Sequence, residues 1–189
     1  MELLTGIFSA FGLSASAGLN AYIPLLVVGV LAHYTDWIKL QSPWDLLANP
    51  WILILLGILL IIEMLADKVP AVNHINDAIQ TVVRPAAGAI AFAASANVVT
   101  DVNPILALAC GLLVAGGVHA VKAGVVRPAV TATTGGAANV PVSVAEDVVS
   151  TAVSVLAIVL PIMVGILLII AFAFFIWWLW RRSDNAQTT

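Results

Sequence analysis

Nine charged residues lie in or beside strongly apolar stretches of this 189-residue chain: Glu63, Asp67, Lys68, Asp77, Arg84, Lys122, Arg127, Glu146 and Asp147. At about 2.5–3.5 kcal/mol for each charge at the centre of a bilayer, turning all of them toward lipid would cost on the order of 20–30 kcal/mol. That exceeds the roughly 5–15 kcal/mol that stabilises a whole fold. The charges must therefore pair with one another, sit at interfaces or line a polar cavity. Spacing shows which can share a helix face. Glu63 and Asp67 are four apart, as are Asn73 and Asp77, and His119 and Lys122 are three apart. Ser143, Asp147, Ser150 and Ser154 form a stripe beside Glu146, and Thr5, Ser9, Gly12, Ser16 and Asn20 form another.

The carboxylates admit two readings. In the first they handle protons or cations, because ionisable groups inside a membrane mark ion pathways. In the second they form salt bridges to Lys68, Arg84, Lys122 or Arg127 that fix helix register. Arg84 and Arg127 each precede a proline and are expected at helix starts, facing an anion or snorkelling to headgroups. His119 is a candidate proton relay, against a packed, hydrogen-bonded histidine, whereas His33 and His74 read as interfacial. Glu63, Asp67, His119, Glu146 and Asp147 make only a weak metal signal with no two-histidine zinc motif, so no metal or cofactor is expected. Lys122 with Arg127-Pro128 is a faint hint of phosphate-gripping chemistry. No nucleophile elbow or glycine-rich nucleotide loop accompanies it.

The elements that must position these groups follow from composition. The chain is 62% hydrophobic and 9% charged, against roughly 25% charged in soluble domains. Its mean hydropathy is +1.10. The expected fold is all-α: a multi-pass transmembrane helical bundle of about six segments at about 20 residues per span. Residues 1–180 form a single membrane domain, followed by a short cytoplasmic tail at 181–189 that is expected to be disordered. Segments are expected at 3–33, 51–66, an amphipathic stretch over 67–84, a short small-residue segment to residue 99, 104–126, 128–150 and 152–180. The loop at 34–50 carries Tyr34, Trp37 and Trp44, an aromatic belt.

Two places should be broken or re-entrant, residues 18–24 and 134–141, because each sets Gly, Asn and Pro inside apolar sequence. The second belongs to TTGGAANVPVSVAED at 133–147. The two regions also align with each other without gaps: Ser14–Leu26 on Thr131–Ser143 keeps Gly18/Gly135 and Pro24/Pro141. Such paired broken helices often meet at a transporter's midplane, although short matches also arise by chance in sequence rich in Ala, Gly and Val. Arg181 and Arg182 after the last span place the C-terminus in the cytoplasm by the positive-inside rule. MELLTG has no basic leader, and Met1 is expected to be retained. The lone Cys110 excludes an internal disulfide pair. The formal net charge of −3 suggests no nucleic-acid partner.

Three blocks, SASAGLNAYIPLL at 14–26, EMLADKVPAVNHINDAIQTVVRPAAGA at 63–89 and HAVKAGVVRPAVTATTGGAANVPVSVAED at 119–147, resemble the bacterial membrane family known as domain of unknown function 4126 (DUF4126). One departure is Asn73, where the family usually has aspartate. The resemblance implies a multi-pass helical protein of the bacterial inner membrane and supplies no activity.

From the residues themselves the leading reading is a transporter or channel for a small ion or solute. Its midplane site would be built by Asn20, Glu63, Asp67, Lys122, Asn139, Glu146 and Asp147, with Lys68, Arg84 and Arg127 neutralising it and His119 relaying protons. The second is an accessory membrane protein with structural ion pairs, and the third an intramembrane lipid-modifying enzyme. The expected partners are the bilayer, a small ion or solute, and a second copy of the chain.

Overall fold

Asn20 ends the first apolar run and starts the next. In the computed structural model, which describes residues 2–67, 70–99 and 102–187, helix α1 (Glu2–Leu19) stops just before it and α2 (Tyr22–Tyr34) begins just after. The Asn20 side-chain oxygen accepts from the backbone N–H groups of Tyr22 (3.1 Å) and Ile23 (3.2 Å), satisfying donors that a helix start leaves open. Pro24 falls in the first turn of α2, where a missing N–H costs nothing, so it starts a helix rather than breaking one. Val28 of α2 and Trp37 and Ile38 of the following loop line one cavity with Thr5 and Ser9 of α1. The two helices thus form a hairpin with its tip at Asn20.

After a 3-10 turn at Trp44–Ala48, α3 (Pro50–Ala66) starts on a cap, Asn49 accepting from Trp51 N–H at 2.9 Å. Helix α4 (Pro70–Val99) is one element of 30 residues. The amphipathic stretch and the small-residue segment expected on either side of Pro85 are therefore continuous, with packing against α1 and α5 outweighing the hydrogen bond lost at the proline. Asn103 caps α5 (Pro104–Val121) at Ile105 N–H, 2.9 Å. The same helix then widens into a π turn, Lys122–Val126, and continues as α6 (Arg127–Thr134). Widening by one residue makes room just ahead of Pro128, whose ring would crowd a regular turn.

Gly135 (φ 61°) and Gly136 (φ 89°) end α6 in left-handed backbone, and α7 (Asn139–Val159) follows. Both breaks expected from sequence are present. The repeat alignment holds at the helix starts: α2 and α7 begin at the aligned positions Tyr22 and Asn139, each with proline as its third residue. A third break was missed. The apolar run at 152–180 is divided at Leu160 (φ −134°, ψ 58°), because a residue before proline is driven out of helical conformation. Helix α8 (Pro161–Gln187) then runs on into the stretch expected to be a disordered tail. No strand occurs among the described residues.

Because nothing crowds a Cβ at Gly135, replacing it by alanine isolates backbone strain. Gly135→Ala is expected to lower stability by about 1–2 kcal/mol, read as a drop in thermal midpoint in detergent, while Gly57→Ala, also in open space but inside α3, is expected to raise it slightly.

Helix α1 is the axle, with α4, α5, α7 and α8 packed around it. Small residues allow the approach: Ser14 Oγ donates to the Gly111 carbonyl at 2.8 Å, and Gly12 sits against Ala157 and Val164. Polar and charged side chains lie inside beside an alanine-rich apolar core, and the surface is more apolar than that of a soluble domain. Arg84, Gln80, Glu63, Asn20, Ser14, Ser16, Ser150 and Ser154 are buried, while Ile54, Ile58, Ile61, Ile62 and Leu65 of α3 and Ile166, Leu167, Ile169 and Ile170 of α8 are exposed. Among the described residues, Pro104–Thr134 and Asn139–Val159 are long and apolar enough to cross a membrane.

Candidate functional site: a buried chain of alternating charges

Antiparallel packing brings the end of α3, the middle of α4, the π turn, the start of α6 and the first half of α7 together around the α1–α2 tip. Arg84, with no exposed surface, donates from Nη2 to Glu63 Oε1 at 2.8 Å and lies 3.9 Å from Asp67 Oδ2. Arg127 Nη2 reaches the same Asp67 oxygen at 3.0 Å and lies 3.8 Å from Glu146 Oε2. Lys122 Nζ lies 2.7 Å from that Glu146 oxygen and donates to the Leu19 carbonyl at 2.9 Å, the carbonyl freed where α1 stops. The lysine–glutamate contact is a short ion pair at a buried carboxylate oxygen. Glu63, Arg84, Asp67, Arg127, Glu146 and Lys122 thus form one run of alternating sign.

Neutral groups complete it. Asn76 Nδ2 donates to Asp67 Oδ1 at 2.7 Å and Ser143 Oγ to Asp67 Oδ2 at 2.9 Å. His119 lies with Nδ1 3.3 Å from Arg84 Nη1 and Nε2 3.2 Å from Thr81 Oγ1, which places it in the chain as a packed, hydrogen-bonded ring. Asn20 Nδ2 donates to Asp147 Oδ1 at 2.9 Å, so the residue that caps α2 also joins the hairpin tip to α7. Deeper along α1, Ser16 Oγ meets Ser150 Oγ and Ser154 Oγ, both at 2.7 Å, as the two polar stripes predict.

Of the residues singled out from sequence, Asn20, Glu63, Asp67, Arg84, His119, Lys122, Arg127, Glu146 and Asp147 are brought together. Asn139 is not: its amide exchanges hydrogen bonds with Thr131 across the glycine turn (3.1 and 3.3 Å). Lys68 lies outside the described residues, as do the side chains of Asn73, His74 and Asp77. Arg84 is not at a helix start. It sits inside α4, its guanidinium turned onto Glu63. Lys122 is held by Glu146 and Leu19, an engagement that disfavours its use as a phosphate grip. Asn76 and Gln80 were missed, although with Arg84 they fall four apart on one face. Among the described residues no three His, Cys, Asp or Glu side chains converge to hold a metal.

Fold and site together define an all-helical bundle with an apolar surface and a charged, hydrogen-bonded interior. The chain belongs to the DUF4126 family, described as a domain of unknown function, whose model matches residues 7–182. No match was found among curated proteins or solved structures.

Proposed function

We propose that the protein spans a membrane several times and conducts or carries a small ion or solute past its buried charge chain. The observation that supports this most is where the charges meet. They gather at interrupted helices, the α1–α2 tip and the π turn, and broken or widened helices recur at functional and substrate sites in membrane proteins. A charge chain needed only for stability could have been placed on regular helices. Lys122 lies about 27 Å along the apolar helix Pro104–Thr134 from its start and about 18 Å from its end, within the middle third of that helix. The bacterial inner membrane and a cytoplasmic C-terminus, from Arg181 and Arg182, belong to the same reading.

The test is flux through proteoliposomes carrying a pH-sensitive dye, screened against small cations, anions and metabolites. Wild type is expected to show pH-coupled flux, and Asp147→Asn and Glu146→Gln to lose it, with the thermal midpoint of Glu146→Gln, which leaves buried Lys122 without its carboxylate, checking that the bundle is still folded. A second reading has its own support: each cation of the chain lies beside a carboxylate, as it would if the charges only locked helix register. Liposomes that leak no more than empty ones with wild type and both variants, across the whole screen, decide for that accessory role.

A further inference from the structure

At the end of α1 away from the charge chain, α1, α2, α4 and α7 surround a cavity of about 130 Å³. Its polar wall is hydroxyl: Thr5 and Ser9 of α1 and Ser95 of α4, with Ser95 Oγ donating to Ser9 Oγ at 3.1 Å. Its rim is Trp37, 69% exposed, and Ile38, which lie in the loop after α2 between the exposed charges Asp36 and Lys39. The cavity therefore opens on a water-facing edge, and a polar recess of this size holds several waters. Thr5, Ser9 and Leu13 occupy successive turns of α1, so Leu13 lies at the inner end, where it packs in one apolar cluster with Val28 and Ile158.

Polar groups resume directly beneath that collar. Ser16 is three residues beyond Leu13 on α1 and Ser154 four before Ile158 on α7, steps of about 4.5 and 6 Å. With Ser150 they make the buried hydroxyl trio, and one turn further Asn20 donates to Asp147. Resting on the conduction reading above, we propose that the cavity is the aqueous entrance of the route, through which a small cation reaches Asp147 along the α1–α7 hydroxyls, and that Leu13, Val28 and Ile158 are the constriction that closes it. An apolar collar one turn thick keeps water out between two polar compartments, which is how hydrophobic constrictions hold ions back. Hydroxyls suit the passage beyond it, because each can turn from donating to a neighbour to offering its oxygen to a guest. The column offers oxygen and ends on a carboxylate, so it favours a cation over an anion.

The test is thiol accessibility in the full chain in detergent, with Cys110→Ala removing the native thiol and silver ion as the cation probe. Silver blocks a thiol, and the fraction left is read with a fluorescent maleimide after denaturation. Ser9→Cys is expected to react at least about a hundredfold faster than Ser16→Cys. Truncating the collar by Leu13→Ala should speed Ser16→Cys by at least about tenfold, whereas Leu56→Ala, the same truncation at a buried site of α3 outside the cavity, should not. Val28→Ala, a smaller deletion, carries the same test if Leu13→Ala does not fold. An unreactive Ser9→Cys overturns the aqueous entrance. A Ser16→Cys rate indifferent to collar truncation, or raised equally by Leu56→Ala, overturns the constriction. In liposomes the collar truncations are also expected to raise cation flux severalfold. Collar-dependent thiol rates with no flux in any variant keep the constriction and remove conduction; flux that ignores both truncations keeps conduction and removes this route.

Discussion

Replacing Arg84 by methionine is expected to destabilise the bundle by about 3–5 kcal/mol, the usual consequence of leaving a buried charge without its partner. Glu63, 2% exposed, would lose both hydrogen bonds it now receives and would have to hold an uncompensated buried charge or take up a proton. Asp67 would fare better, since Arg127, Asn76 and Ser143 still hold it. The decisive measurement is a double-mutant cycle. Arg84→Met with Glu63→Gln should be markedly more stable than Arg84→Met alone, because the second change removes the stranded charge. Strict additivity of the two changes would mean that the ion pair contributes nothing to the folded state.

The second large effect concerns helix contact. A Cβ on Gly111 would meet the Gly88 carbonyl oxygen, and would come within 2.7 Å of both Ala89 Cα and Phe92 Cβ. Two of these are backbone atoms of α4, which cannot turn aside, so Gly111→Leu must push α5 away from α4. A loss of about 3 kcal/mol is expected from overpacking, together with loss of the Ser14–Gly111 hydrogen bond. Gly117→Leu supplies the control six residues along the same helix, where nothing lies within 4 Å. Equal midpoints for the two variants in detergent would contradict the close α4–α5 approach.

The helical class and the membership of the charge cluster were legible because a charge inside apolar sequence carries a large energetic penalty. Few arrangements satisfy Glu63, Asp67, Lys122, Glu146 and Asp147 at once. The breaks at Asn20 and Gly135 were legible for a similar reason, each combining a helix-ending residue with a proline that fits the next first turn. Asn76 and Gln80 were not, since neutral amides are common on an amphipathic surface and only the fold shows that this face turns inward. Arg84 was misplaced by a local rule: a residue before proline leans away from helix, but the packing of α4 overrode that leaning before Pro85, whereas Leu160 before Pro161 leaves the helix. Asn139 found a partner eight residues back, across a turn whose geometry depends on two left-handed glycines.

The π turn sets an angular phase. In a regular helix two residues five apart point about 140° away from each other, so Lys122 and Arg127 would address different neighbours. With the i→i+5 pattern both come to the same side, and both lie near Glu146 Oε2, at 2.7 and 3.8 Å. Ordinary winding over the same five residues would swing Arg127 by roughly 90–100°, whereas deleting one residue would leave the two cations four apart in a regular helix, about 40° from each other and still on one side. The wide winding of Lys122–Val126 is thus as specific a determinant of the site as any side chain in it, and a change that restored regular winding at full length would rewire the charge chain without altering a single charged group.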